Sequence, residues 1–150
     1  MMLLSRRSLL AIAAVVDIAL HARPTPVSAK SLASRHDLPP RHLETMLQAL
    51  VHCGLIKGVR GPRGGYELAR ERRKISAGDI VRAAMRAAED DSGAPEPQSR
   101  LVEQVIGPLV RNGTERFLEA LDKVTIEDLC RDAEKLKVFS TEENSVDFAI

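Results

Sequence analysis

Two short stretches of this sequence carry side chains whose type and spacing suit contact with a polyanion. The first runs from Pro40 to Gly54, PRHLETMLQALVHCG. If it is helical, each residue turns by about 100°. Leu43, Met46, Leu47, Leu50 and Val51 then form one apolar stripe, and Arg41, Thr45, Gln48 and His52 project from the opposite side with Glu44 flanking them. Arg can donate two hydrogen bonds to guanine, Gln can pair with adenine, and Glu can accept from the cytosine amine. The second stretch is Arg60-Gly61-Pro62-Arg63-Gly64-Gly65-Tyr66. Its glycines let the backbone turn sharply and lie close to a ligand. Two arginines at a narrow tip suit a minor groove or a phosphate clamp. The Gly-Lys-Ser/Thr ending of a P-loop is missing, so this is not a nucleotide cradle. A polar helix face or a basic hairpin alone is usually plain solvated surface. Their close succession is what carries information.

Other chemistries find no support. His21, His36, His42 and His52 have no Cys, Ser or Asp partner at a recognisable spacing, so no catalytic residue and no metal ligand is expected. The two cysteines, Cys53 and Cys130, lie far apart without a CxxC or Cys/His cluster. Both read as partly buried small side chains; whether either senses redox state is left open. The net charge of +1 hides a division of the chain. Residues 1–75 hold 13 Lys/Arg against 5 Asp/Glu, a net of +8, whereas residues 76–150 hold 9 against 16, a net of −7. A basic half joined to an acidic half fits a polyanion-binding module followed by an association module.

The elements that would position these residues follow from pattern and punctuation. Leu, Val, Ile, Ala and Met must fill the core, because Trp is absent and aromatics make up 3%; that favours packed helices. Arg6 to Ala22 reads as a helix with Leu9, Ile12, Ala13, Val16 and Leu20 on its inner face, stopped by Pro24 and Pro26. Ser28 caps a second, short helix whose inner face is Leu32 and Ala33. His36-Asp37-Leu38 is a tight turn, and Pro40 opens the third helix. Leu55–Arg60 and Tyr66–Arg70 are the strands of a hairpin. Ser76 with Asp79, and Thr125 with Asp128, have capping-box spacing before two more helices; Ile75 with Ile80 and Val124 with Leu129 fit hydrophobic staples. The first of these helices is expected to reach Ala88 and the last to reach Val138. Glu89–Ser99 reads as a linker. Arg100–Lys123 reads as one long helix, kinked at Gly107-Pro108 and weakened at Asn112-Gly113. Its apolar residues Leu101, Val105, Leu109, Phe117, Leu118 and Leu121 make a stripe longer than one small domain needs.

The expected fold class is thus mainly α with a small β-hairpin: a winged helix-turn-helix domain plus a long dimerisation helix. The expected domains are 1–88 for DNA binding, 89–99 as linker, 100–138 for dimerisation and 139–150 as a flexible acidic tail. The N-terminal Ser5-Arg6-Arg7-Ser8-Leu9-Leu10 imitates a twin-arginine export signal, and Val27-Ser28-Ala29 imitates its cleavage site. Asp17 interrupts the apolar run after eight residues (Leu9–Val16), which reads better as a core helix. No segment is long enough to span a membrane, and a reducing cytoplasm fits.

LPPRHLE (Leu38–Glu44), Gly54-Leu55-Ile56, VRGPRGGYEL (Val59–Leu68) and ISAGDIV (Ile75–Val81) together resemble the bacterial winged-helix regulators that include IscR, NsrR and RirA. The resemblance runs from about Leu4 to Lys137 and is most specific at the wing. It implies a homodimer, a long dimerisation helix and a palindromic operator in double-stranded DNA. By motif position it places Arg41, His42 and Glu44 on the base-reading start of the recognition helix and Arg60 on the wing arginine that enters the minor groove. The expected DNA-contacting set is Ser28, Lys30, Arg41, His42, Glu44, Thr45, Gln48, Arg60, Arg63 and Tyr66. Two departures matter. Cluster-binding members carry three closely spaced cysteines where this chain has the cysteine-free Glu89–Ser99, so no iron–sulfur cluster or other cofactor is expected. Arg63 stands where the family usually has Gly. The reading is a non-enzymatic transcription regulator, answering to a thiol oxidation, a small-molecule effector or a protein partner. The alternative is a protein-interaction module that keeps the fold and controls another protein.

Overall fold

The computed structural model describes residues 3–91 and 99–139. Six α-helices and one two-stranded antiparallel sheet follow in the order α1 (Arg6–His21), α2 (Ala29–His36), α3 (Pro40–His52), β1 (Ile56–Val59), β2 (Gly65–Leu68), α4 (Ala77–Asp91), α5 (Gly107–Asp122) and α6 (Ile126–Lys135). A single 3-10 turn, Arg72–Lys74, precedes α4, and a π-helical turn, Val102–Ile106, precedes α5. The fold is mainly helical with one small hairpin, as the sequence pattern implies.

One core unites these elements. Ile18 of α1, Leu32 of α2, Leu43, Leu47 and Leu50 of α3, Leu55 and Ile56 at the start of the hairpin, and Ile80 of α4 are all buried together. Each fully buried Leu or Ile contributes roughly 1.5–3 kcal/mol, so this cluster dominates the stabilisation. Ile126 and Cys130 of α6 belong to the same cluster, because α6 returns to pack on α1 and on the 3-10 turn.

Start and stop signals act where the sequence places them. Ser28 is the N-cap of α2 and accepts from the Ser31 amide at 3.1 Å. Pro40 takes the first turn of α3. Gly54, at φ +73°, follows the Cys53 C-cap; the Gly54 amide reaches the Val51 carbonyl and the Leu55 amide the Leu50 carbonyl. This paired closure needs a left-handed residue, which glycine supplies without strain. Both capping boxes form: Ser76 with Asp79, and Thr125 with Asp128. The two boxes also bridge each other, since the Ala77 amide donates to Val124 and the Ile126 amide to Ile75. That cross-pairing fixes the start of α6 beside the start of α4.

Several expectations need correction. The buried side of α1 is Ala11, Ala14, Val15 and Ile18, while Leu9, Ile12, Ala13, Val16 and Leu20 are half-buried. The helix is apolar nearly all round, so its sequence marks no single face; small alanines take the closest contacts. Val51 is exposed at 39%, at the edge of the α3 stripe. The strands are shorter than the expected Leu55–Arg60 and Tyr66–Arg70, paired Ile56 to Leu68 through Val59 to Gly65. Helix α4 continues through Glu89 and Asp90 to Asp91, because no breaker occurs before Gly93 and Pro95; the rest of the expected linker, 92–98, lies outside the described residues. The long helix is not uniform. Pro108 lacks an N–H and crowds the carbonyl four residues back. The turn before it widens to π geometry, with the Gly107 amide donating to the Val102 carbonyl. Asn112-Gly113 passes without a break. Helix α6 stops at Lys135 rather than Val138, and Lys137 is left-handed at φ 53°. Apart from Phe139, the expected acidic tail lies outside the described residues.

Candidate nucleic-acid interface

The interface is built on a buried charge. Asp17 faces the core side of α1 with no exposed surface, and its carboxylate is saturated by three side chains. Arg35 of α2 donates from Nε to Oδ2 at 2.8 Å and from Nη2 to Oδ1 at 2.7 Å. His36 Nε2 donates to Oδ2 at 2.7 Å. His21 Nδ1 lies 3.0 Å from both Asp17 Oδ1 and the Asp17 carbonyl oxygen; both are acceptors, so this nitrogen carries the proton. Burial pushes the carboxyl upward, but the bonds from His36 and Arg35 outweigh it and hold the Asp17 pKa down at about 2. The cluster clamps α2 onto α1.

From that anchor the chain turns into α3. Asp37 takes the left-handed conformation at φ 50°, and its amide and that of Leu38 both donate to the Ala33 carbonyl. Leu38 buries itself against the core, and Pro39 and Pro40 launch α3. Leu43, Met46, Leu47 and Leu50 point inward. Arg41, His42, Glu44, Thr45 and Gln48 are all exposed, and Thr45 Oγ1 donates back to the Arg41 carbonyl at 3.3 Å. Arg41 and Glu44 form no ion pair with any other described residue, so their charged ends face solvent and are ready for an external partner.

The hairpin is braced from beneath. Val27, between α1 and α2, bridges Tyr66 through paired backbone bonds of 2.9 and 2.7 Å, a one-residue third strand. Any side chain at Gly65 would strike the Val27 carbonyl, because a Cβ there would lie 2.3 Å from it. Lys57 and Glu67 face each other across the strands at 3.2 Å. Beyond this brace Arg60, Pro62 and Arg63 are exposed at the tip. A groove of about 470 Å³ separates the wing from the beginning of α2, with Arg63 and Gly64 on one wall and Ser28 and Ser31 on the other.

The expected DNA-contacting residues therefore occupy three places: α3's outer face, the wing, and the start of α2, where Lys30 is exposed. Ser28 spends its hydroxyl as a cap and Tyr66 is half-buried. Of the expected dimerisation residues, Leu101, Val105 and Leu109 are exposed at 60, 59 and 70%. Phe117 and Leu121 are half-buried, and Leu118 is already buried within the chain. Ile106 and Val110, which the sequence pattern did not single out, extend the exposed apolar surface. Arg82 locks α5 to α4 by donating to Asp122 at 2.9 Å and to Glu115 at 3.2 Å. The Asp17 cluster was also missed; a charged residue inside an apolar helical run was its signal.

Residues 4–132 match the model of a family described as Rrf2, iron-dependent transcriptional regulator. The chain belongs to the Rrf2 family. Among relatives of this Rrf2 chain, Protein rrf2 of Nitratidesulfovibrio vulgaris is 30% identical, covering 88% of this chain and 89% of that protein. The HTH-type transcriptional regulator IscR of Vibrio atlanticus is 29% identical over 99% of this chain and 86% of its own. Among solved structures, IscR of T. potens superposes with a TM-score of 0.68 at 33% identity, covering 90% of each chain. CymR, the global cysteine regulator of B. subtilis, gives 0.62 at 28% identity over 87% of this chain and 98% of that one. The Rrf2 chain is thus a helix-turn-helix transcription regulator of winged-helix fold, and no helix among its described residues is long and apolar enough to cross a membrane.

The family's description implies iron, and the donor set here does not fit it. Thiolates hold iron–sulfur clusters; this Rrf2 sequence has only Cys53 and Cys130. Cys130 is buried in α6, where desolvation pushes its thiol upward, and Cys53 closes α3. Among the described residues no three His, Cys, Asp or Glu side chains are grouped to hold a metal.

Proposed function

We propose that this protein is a cytoplasmic, homodimeric regulator that reads a palindromic operator without an iron–sulfur cluster. The observation that carries the reading is the outer face of α3. Arg41, His42, Glu44, Thr45 and Gln48 are exposed together on a helix whose other side is locked into the core. A rigid helix with guanidinium, carboxylate and amide groups on one face is what base discrimination in a major groove requires. The exposed arginines of the wing supply the minor-groove and phosphate contacts.

Dimerisation rests on the apolar surface of the π turn and α5. Leu101, Val105, Ile106, Leu109 and Val110 are too many exposed aliphatics for a solvated helix face. A two-fold pair of α3 helices would then demand a two-fold operator. In this scheme residues 1–88 bind DNA and Arg100–Asp122 carries the partner surface, while Leu118 serves the fold. Selection of bound fragments from a genomic library, followed by gel shift, tests the reading against the alternative of a protein-interaction module. Recovery of a shared inverted repeat supports it, and the absence of any selectively retained fragment overturns it.

A further inference from the structure

The groove between the wing and the start of α2 borders the place where the described chain ends. The ring of Phe139 packs edge-on against His21, with centroids 4.8 Å apart at 88°. His21 also lines the groove, together with Ser28, Ser31, Arg35, Arg63 and Gly64. Among the described residues no carboxylate lines it. Helix α2 has no acidic residue in its first turn, so beyond the neutral Ser28 cap no charge of its own offsets the positive end of its dipole. The sequence after Phe139, STEENSVDFAI, carries Glu142, Glu143 and Asp147 and no basic residue. At about 3.3 Å per residue, the eight residues from Phe139 to Asp147 reach roughly 26 Å, ample to cross a groove that begins beside Phe139.

We propose that the acidic segment Thr141–Asp147 docks into this groove and competes there with the phosphates of DNA. The inference rests on the regulator reading above and deepens it. The tail offers carboxylates to Arg63 and to the N-terminus of α2, two features that a phosphate would use. Covalent tethering makes the contact intramolecular, so weak ion pairs suffice to hold it. The tail weakens loosely held, purely electrostatic complexes more than complexes that also make base contacts. It therefore raises the selectivity of the protein while lowering its overall affinity.

The test compares the full chain with a full-length variant carrying Glu142→Gln, Glu143→Gln and Asp147→Asn. Two readouts are taken at about 50 mM and about 300 mM salt, chosen to span strong and weak screening. In ¹⁵N–¹H spectra without DNA, the amides of Ser31, Arg63 and Gly64 differ between the two proteins at low salt, and the difference closes at high salt. On a random-sequence duplex, the variant binds about three- to ten-fold tighter at low salt, the range that a few exposed ion pairs supply. Unchanged groove amides overturn the proposal whatever the DNA result, as do equal affinities for DNA. Groove amides that shift in a protein that binds no duplex at all support docking of the tail and overturn the regulator reading instead.

Discussion

Asp17 shows how one residue can set the geometry of a distant surface. A carboxylate with no exposed surface would be costly to bury alone, yet here every acceptor site has a donor from Arg35, His36 or His21. Replacing it by Asn removes the carboxylate that Arg35, His36 and His21 bond, and breaking one side of a buried pair costs roughly 3–5 kcal/mol. The Arg35 side chain is 22% exposed, so partial rehydration puts Asp17→Asn at the low end, read by urea denaturation. The sign of the pH dependence follows from the lowered pKa. The contribution is fully present above the ordinary value of 3.8 and is lost as pH falls toward about 2. Acid denaturation of the Asp17→Asn variant should therefore show a shallower loss of stability between about pH 4 and about pH 2 than the parent. Glu44 is the complementary case on the surface. A carboxylate near phosphates is repelled unless a base donor holds it, so Glu44→Ala should raise affinity for random DNA and relax choice at one operator position, by about 1–3 kcal/mol of discrimination. Titrations over single-base operator variants measure this; an unchanged ranking of those variants would remove Glu44 from the reading surface.

At the scale of elements, wing and association helix should fail in different ways. Arg60 is exposed at the wing. Its groove contact depends on width and potential more than on a base pattern, so Arg60→Ala should weaken binding broadly and reduce the salt slope by about one phosphate-equivalent. Leu109, 70% exposed on α5, should behave otherwise. Leu109→Asp removes no core contact, so it should leave the fold intact and yield monomers with weakened operator binding, seen by sedimentation; a dimeric Leu109→Asp protein would place the interface elsewhere. Leu118→Asp should unfold the α4–α5 packing instead, because Leu118 is buried within its own chain. The elements themselves were legible wherever punctuation is local. Ser28, Pro40, Gly54 and the two capping boxes mark ends by bonds made within a few residues. What could not be read depends on distant partners: the buried side of the nearly all-apolar α1, the Val27–Tyr66 bridge, and the cross-pairing of Ser76 with Thr125. The α3 surface was legible because its apolar and polar residues separate onto two sides at helical spacing, and only Val51 falls on the other side of the boundary.

For the whole molecule, the division of charge acquires a structural meaning. The basic first half forms the helix-turn-helix and wing, and the acidic second half supplies α4, α5 and α6, entering the common core through Ile80 of α4 and through Ile126 and Cys130 of α6. With two cysteines and no grouped metal ligands among the described residues, the protein should purify colourless, without stoichiometric iron, even under anaerobic conditions. An absorbance band in the visible with bound iron would contradict that. The central claim is that α3 and the wing read a particular sequence. It is tested most directly by anisotropy titration of the full chain onto the genomically selected duplex and onto a scrambled duplex of equal length, at about 0.15 M salt. The account predicts an affinity ratio of roughly 10³ or more, the range of specific protein–DNA recognition. A ratio near one, with both duplexes bound alike, would contradict it.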